Sequence, residues 1–340
     1  MPRQARLDAP GVLQHVMARG IERRKIFWDD KDRSSFLERF AVILEETQTQ
    51  CYAWALIPNH FHILLRTGTT PLSTVMRRLM TGYAVTFNIR HRRSGHLFQN
   101  RYKSVVCEED TYLLELTRYI HLNPMRAKLV KDMKELDKYL WTGHSALLGK
   151  RKNALIPDVP LINAGEDNGK FLAEKTVEDV LQYFGKNLKE ARRRYRKFVE
   201  KGIKHGHRTD LQGGGLIRSA GGDKAGLLGQ KKEDREKSDQ RILGSGDFVS
   251  ATLQQSEKFL EKKYRPKRSI EDLIEFVAKQ LALSPELICS GSRKKEISEA
   301  RALVAYLAVE ETGHSAADVA RYLRIGRANV LRSIKRGYET

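Results

Sequence analysis

The run His60-Phe61-His62 is where this chain first offers chemistry. In an extended segment side chains alternate, so both imidazoles leave one face and Phe61 leaves the other. Two imidazoles two residues apart can share one divalent ion. Taken alone, H-x-H also reads as an exposed or internally satisfied histidine pair. A third donor has to come from another element. Tyr119 and Asn123 are four residues apart, which places them on one helix face. Each has an ordinary reading too. Tyr119 is one of twelve tyrosines and can be a core aromatic, and Asn123 can simply cap a helix that Pro124 begins. His121 lies two residues from Tyr119 and falls off that face.

These groups need elements to hold them. Leu13 to Arg19 has strand character, and Asp30 opens a helix with Phe36, Leu37, Phe40, Ile43 and Leu44 at helical spacing. Cys51 to Ile57 and His60 to Thr67 read as two strands joined by a Pro58-Asn59 turn. Thr70-Pro71 reads as an N-cap followed by proline at the first helical position, opening a helix toward Arg93 that Ser94-Gly95 breaks. Lys103 to Cys107 is a short strand. Asp110 or Thr111 then caps a helix to about Leu122, with Leu113, Leu116 and Ile120 as its packing face. The order β-α-β-β-α-β plus one helix predicts an α+β, ferredoxin-like antiparallel sheet with helices on one face. Its first and third strands are central, so His60 and His62 sit mid-sheet.

Residues 1–148 form one expected domain. Residues 149–265 read as a basic helical bridge and a glycine-rich linker. Lys186 to Arg208 holds ten Lys or Arg and two acidic residues, and glycine is dense over 206–229. Residues 266–340 read as an all-α domain with helices at 270–282, 295–312, 316–323 and 327–336. The last two are joined by Arg324-Ile325-Gly326, which is helix-turn-helix spacing.

The whole chain has 340 residues, with 62 Lys and Arg against 42 Asp and Glu, a formal charge of +20. A soluble chain this basic points to a polyphosphate partner, DNA or RNA, with a merely solvated cationic surface as the alternative. No apolar stretch is long enough to span a membrane, and MPRQARLDAPGVLQ has no signal-peptide core. Cys51, Cys107 and Cys289 form no C-x-x-C and cannot pair completely, which argues against a disulfide scaffold or a thiolate zinc finger. A reducing, cytoplasmic location is expected.

PNHFHILL, then GHLFQNRYKS, then LTRYIHLNPMRAKLV, in this order and spacing, resemble the single-tyrosine HUH transposases (IS200-like), and more closely their REP-associated tyrosine transposase branch. HVMARGIERRKIFWDD also fits that branch. The resemblance covers about residues 8–148, with weaker similarity through 186–246. It implies that His60 and His62 bind a divalent metal, Mg²⁺ or Mn²⁺. It implies that Tyr119 is the nucleophile and that Asn123 completes the metal site, where family members often carry Gln. The implied chemistry is coherent. A divalent ion offsets the negative charge of a phosphodiester, and a tyrosine adduct keeps the phosphodiester energy in a 5′-phosphotyrosine while freeing a 3′-OH.

Arg19, Arg23, Arg24, Arg101 and Lys103 are expected to hold DNA phosphate around this site, with Lys25 and Arg77, Arg78, Arg90, Arg92 and Arg93 nearby. Phe98 and Tyr102 interleave the last group as candidate faces for unstacked bases. The segment from Ser292 to Gly337 resembles the helix-turn-helix DNA-binding domain of the bacterial replication initiator, over about 268–338. That resemblance implies a recognition helix starting near Arg327, with Ala328, Asn329, Arg332 and Lys335 available to bases and phosphates, and Arg293, Lys294 and Lys295 over the backbone.

The expected function is a metal-dependent endonuclease and strand transferase on single-stranded, palindromic DNA, acting as monomer or homodimer and anchored by a duplex-reading module. The competing reading is a domesticated, non-catalytic DNA-binding regulator. A hydrolytic phosphoesterase using the same histidines is a third.

Overall fold

Residue alternation along the third strand sorts its side chains between two cores. Phe61, Ile63 and Leu65 enter one, and Leu64 enters the other, on the face that carries His60 and His62. The structure is a computed structural model that describes Leu7, 10–68, 70–157, 170–206, Arg208, Leu211, 239–264, 268–292 and 294–337, without the side chains of 258–264 and 335–337. It divides into two units, Met1–Ser256 and Glu257–Thr340.

The first unit is built on β1 (Leu13–Arg19), α1 (Asp30–Glu46), β2 (Gln50–Ile57), β3 (His60–Arg66), α2 (Leu72–Arg90), β4 (Lys103–Cys107) and α3 (Glu109–His121). It continues through α4 (Leu172–Gln182), α5 (Leu188–Lys201) and β5 (Ile242–Leu243). The strand order is β2-β3-β1-β4-β5. The first four strands are antiparallel neighbours in the ferredoxin-like order, and β5 adds to the β4 edge in parallel. As expected, β1 and β3 are central.

Helices cover both faces of the sheet rather than the expected one. Phe36, Phe40 and Ile43 of α1 and Val75, Leu79 and Tyr83 of α2 fill the first face. Leu116 and Ile120 of α3, Val180 of α4 and Tyr195 and Val199 of α5 fill the second. The reason lies in β2 and β3, whose residues are buried almost without a break. A strand with apolar side chains on both faces needs a cover on each. Residues 149–265, expected as bridge and linker, thus supply part of this unit. The helix α4 packs on β2, α5 packs on α3 and α4, and β5 extends the sheet. Most of the glycine-rich stretch over 206–229 lies outside the described residues.

Local signals shifted slightly. Asp29 caps α1, its carboxylate accepting from the Asp32 amide at 3.0 Å. Pro71 stands at the N-cap of α2 rather than one position inside it. Neither Asp110 nor Thr111 caps α3. Glu108 occupies that position without a side-chain cap, because its carboxylate accepts from the backbone and hydroxyl of Ser245, each at 3.0 Å.

The second unit contains α7 (Ile270–Gln280), α8 (Lys295–Tyr306), α9 (Ala316–Tyr322) and α10 (Arg327–Gly337); α6 (Gly246–Tyr264) precedes them. Ser269 and Asp272 form a capping box at the start of α7. Leu273, Val277, Val304, Val319, Leu323 and Val330 make the core. In the turn before α10 the left-handed residue is Arg324 (φ 53°), not the glycine at 326. No helix among the described residues is long and apolar enough to cross a membrane.

Candidate metal and nucleic-acid site

The β1–β3 register places Arg19 opposite His60, Met17 opposite His62 and His15 opposite Leu64. On β4, Lys103 pairs with Met17, and on β2, Ala55 pairs with His62. The small Ala55 side chain leaves room above the sheet, and α3 runs across this face. The Tyr119 ring lies 6.1 Å from the His62 ring and 6.1 Å from the His15 ring. Tyr119 is buried, yet it lines the same cavity as His60, His62 and Asn123. That cavity, about 410 Å³, is completed by Met17, Ala18, Arg19, Gln99, Asn100, Arg101, Lys103, Arg126 and Ala127. Among the described residues four cations line it and no carboxylate does, so its field favours an anion.

His60 and His62 stand with ring centroids 5.2 Å apart, nearly perpendicular. Asn59 donates its side-chain amide to the Arg23 carbonyl at 3.1 Å, which turns its oxygen to His60 Nδ1 at 2.7 Å. That oxygen only accepts, so Nδ1 of His60 carries the hydrogen and Nε2 keeps a lone pair. His62 Nδ1 lies 3.0 Å from Nε2 of His15, whose own Nδ1 lies 3.2 Å from the Leu211 carbonyl. Burial is the main cause that lowers the pKa of all three rings. His15 and His60 fall to about 4, with Lys103 and Arg19 respectively adding in the same direction. His62 falls well below the ordinary value, helped by His15, His60, Arg19 and Arg126. All three rings are therefore neutral at neutral pH, the form that can ligate.

Asn123 is buried, and its Nδ2 has no hydrogen-bond partner among the described residues. Its Oδ1 faces Arg126 Nη1 at a long 3.4 Å. Exchange of amide oxygen and nitrogen turns the orphaned position into an acceptor and gives up only the long contact to Arg126. Two neutral imidazoles and one amide oxygen fit a divalent ion of borderline hardness. Among the described residues no cluster of three or more His, Cys, Asp or Glu side chains could hold an ion, and this donor set contains only two such residues.

Two contributors were not read from the sequence. His15 is the third residue of the expected first strand and opens the HVMARGIERRKIFWDD stretch, but carries no role of its own in that reading. Arg126, inside NPMRAKLV, places its guanidinium 4.5 Å from the Tyr119 ring centroid and donates to the carbonyls of Tyr119 and Gly206 at 2.6 and 2.9 Å. His121 points away from the cavity, its Nδ1 2.7 Å from the Tyr195 hydroxyl.

Of the expected DNA contacts, Arg19, Arg101 and Lys103 line the cavity. Arg23 and Arg24 are exposed but do not, and Arg24 pairs with Glu22 at 2.8 Å. Glu22 and Arg23 both have left-handed backbones (φ 51° and 61°), so this loop is locally strained. Gly20 starts it, and a Cβ there would meet the Arg24 carbonyl at 2.1 Å. Arg78 pairs with Glu46, and Arg90 pairs with Asp29 and Asp32. Tyr102 is buried and Phe98 is half-buried against Phe61 and Tyr83, so both rings pack in the first core. In the second unit Arg327, Asn329 and Arg332 are exposed on α10, and Arg332 donates to Asn329 at 2.6 Å. The Lys335 side chain and all of Arg293 lie outside the described residues.

Residues 10–123 match the family model described as IS200-like transposase, and residues 270–336 match bacterial DnaA protein helix-turn-helix. One similar solved structure is of a REP-associated tyrosine transposase bound to a REP hairpin. It is 17% identical with a TM-score of 0.37, covering 49% of this chain and 98% of that one. A comparison with curated proteins finds no match. Over residues 10–123 the chain is thus similar to the IS200-like transposases, and over residues 270–336 to the helix-turn-helix of the bacterial DnaA protein.

Proposed function

We propose that the first unit is a metal-dependent single-stranded DNA endonuclease and strand transferase that works through a tyrosine adduct at palindromic, hairpin-forming DNA. The observation that carries this reading is one cavity in which the rings of His60, His62 and Tyr119 meet four cations and no carboxylate. His60, His62 and Asn123 are the residues to hold a divalent ion, Mg²⁺ or Mn²⁺. The ion, when bound, offsets charge on a non-bridging phosphate oxygen.

The chain's own groups do the rest. Arg19, Arg101 and Lys103 bind the phosphates flanking the scissile one. The Tyr119 oxygen attacks phosphorus and gives up its proton to solvent. The bond from phosphorus to the 3′ oxygen breaks, and that oxygen leaves as a protonated 3′-OH. The 5′-phosphotyrosine so formed is resealed by a 3′-OH of another strand in the reverse sequence. Arg126, over the Tyr119 ring, stabilises the oxygen that carries negative charge during attack and release. The imidazoles and the phenol belong to one chain, which favours a tyrosine acting beside its own histidines.

The second unit is proposed to bind duplex DNA through α10, with Arg327, Asn329 and Arg332 facing the groove and Lys335 as a further proposed contact. A labelled hairpin oligonucleotide incubated with the full chain and Mn²⁺, then run under denaturing conditions, tests the catalytic reading. A protein-linked 5′ end that disappears with chelator and with Tyr119→Phe is the expected result. Retardation without linkage would establish the regulator reading instead. Multiple-turnover product without linkage would establish a hydrolase.

A further inference from the structure

His15 lies on β1 without exposed surface, on the sheet face that carries His62. Its direct partner across the strands is Leu64, so His62 is its diagonal neighbour, and the two rings stack at 5.2 Å. Nε2 of His15 meets Nδ1 of His62 at 3.0 Å, and Nδ1 of His15 meets the Leu211 carbonyl at 3.2 Å.

The hydrogens follow from the partners. A carbonyl oxygen only accepts, so Nδ1 of His15 carries a hydrogen and donates it to Leu211. A second hydrogen on Nε2 would put a cation on a ring with no exposed surface, and no carboxylate pairs with His15 among the described residues. Nε2 of His15 is therefore a lone pair, and it accepts the hydrogen on Nδ1 of His62. That leaves Nε2 of His62 as the ring's one donor atom for an ion.

We propose that His15 is a positioning residue for the histidine pair: with the Leu211 carbonyl it holds His62 in the tautomer whose Nε2 can take a divalent ion. This rests on the reading of His60 and His62 as ligands. Orientation of a ligating imidazole by its second nitrogen is worth one to two orders of magnitude in metal affinity. The device here has a particular character. Its acceptor is a neutral imidazole, where a carboxylate would add negative charge behind the ligand. His60 is likewise oriented by a neutral amide, that of Asn59. The pair is thus fixed in direction without compensating the ion's charge, which leaves that charge for the DNA phosphate.

The test uses the full chain. Long-range ¹H–¹⁵N correlation of the imidazoles, recorded without metal at neutral pH, reads the tautomers directly. The expected result is hydrogen on Nδ1 in both His15 and His62. His15→Phe keeps the ring and removes the acceptor. It should shift His62 toward the Nε2–H tautomer and weaken Mn²⁺ binding, followed by electron paramagnetic resonance, about tenfold or more. His15→Gln, which can donate and accept along the same line, should restore most of that affinity. Hydrogen on Nε2 of His62 in the unaltered chain would overturn the proposal, and so would equal losses in the Phe and Gln variants or none in either. Mn²⁺ binding that survives His60→Ala and His62→Ala would sink the ligand reading itself, while the metal-free tautomers still judge the contact between the two rings. A His15→Phe chain that fails to fold leaves the tautomer measurement on the unaltered protein as the deciding one.

Discussion

The guanidinium of Arg126 lies over the Tyr119 ring and hydrogen-bonds the carbonyl of that same residue, so one cation holds both the backbone and the aromatic face of the nucleophile candidate. Arg126 is partly buried, and a cation over an aromatic face is worth more when desolvated. Its removal should act on the step in which charge develops on the phenolic oxygen. Arg126→Ala is expected to slow single-turnover adduct formation by about 10²–10³-fold, the size seen when one preorganised donor is lost. Hairpin affinity should change far less, because Arg19, Arg101 and Lys103 remain. A gel time course beside an anisotropy titration separates the two effects, and equal losses in both would reduce Arg126 to a phosphate contact.

The buried rings make stability depend on pH in a definite direction. His15 and His60 are held to about 4 against an unfolded value of 6.5, and His62 moves the same way. Between those values the unfolded chain binds protons that the folded chain refuses. Their stabilisation is complete above about pH 6.5 and is lost as pH falls toward 4. For the fully buried His15 the shift corresponds to on the order of 3 kcal/mol. Urea midpoints measured from pH 7.5 down to 4.5 should fall steeply, and His15→Gln should flatten the curve over that window.

Tyr195 joins α5 to two other segments through one hydroxyl. Its oxygen lies 2.7 Å from His121 Nδ1 and 3.1 Å from His144 Nδ1, and His144 Nε2 reaches Asp137 at 3.0 Å. Asp137 also takes Lys150 and Arg196, each at 2.8 Å. Tyr195→Phe keeps the ring and strands two buried imidazole nitrogens, which should cost about 1–3 kcal/mol. The melting temperature should drop by about 2–4 °C for each kcal/mol. Adduct formation at low temperature should persist, since this network lies away from the cavity. Loss of chemistry in a folded variant would contradict that separation.

In the second unit, Asn329 accepts from Arg332 and both are exposed on α10. If Asn329 reads a base edge, Asn329→Ala should cost about 1–3 kcal/mol on the preferred duplex and little on others. Arg327→Ala should weaken all duplexes alike and lower the salt dependence by about one phosphate contact. Anisotropy titrations at several salt concentrations, on preferred and scrambled duplexes, check both.

Local order was legible in residue type and spacing. Alternation along residues 60–66 put the two imidazoles on one face, and the four-residue step from Tyr119 to Asn123 put both into one cavity. The first follows from the fixed period of a strand. Asn123 lies just past the Leu122 C-cap of α3, in a separate turn over Asn123–Arg126. It stays beside Tyr119 because Leu122 keeps a helical backbone. Long-range packing decided the rest. Strand register made His15 a neighbour of His62, 47 residues away in the chain. The apolar character of the second sheet face drew α3 and α4 onto it, and α5 packs on those two helices, although its charge reads as a basic bridge. Its side chains divide, with Ala191, Tyr195 and Val199 buried beneath the arginines. Phe98 and Tyr102 have the residue types that suit stacked bases and cores alike, and only their surroundings say which. A sequence records the donors, acceptors and apolar surfaces a chain has available. Which of them meet is a property of register and packing, because contact energies depend on distances that the chain sets only when it folds.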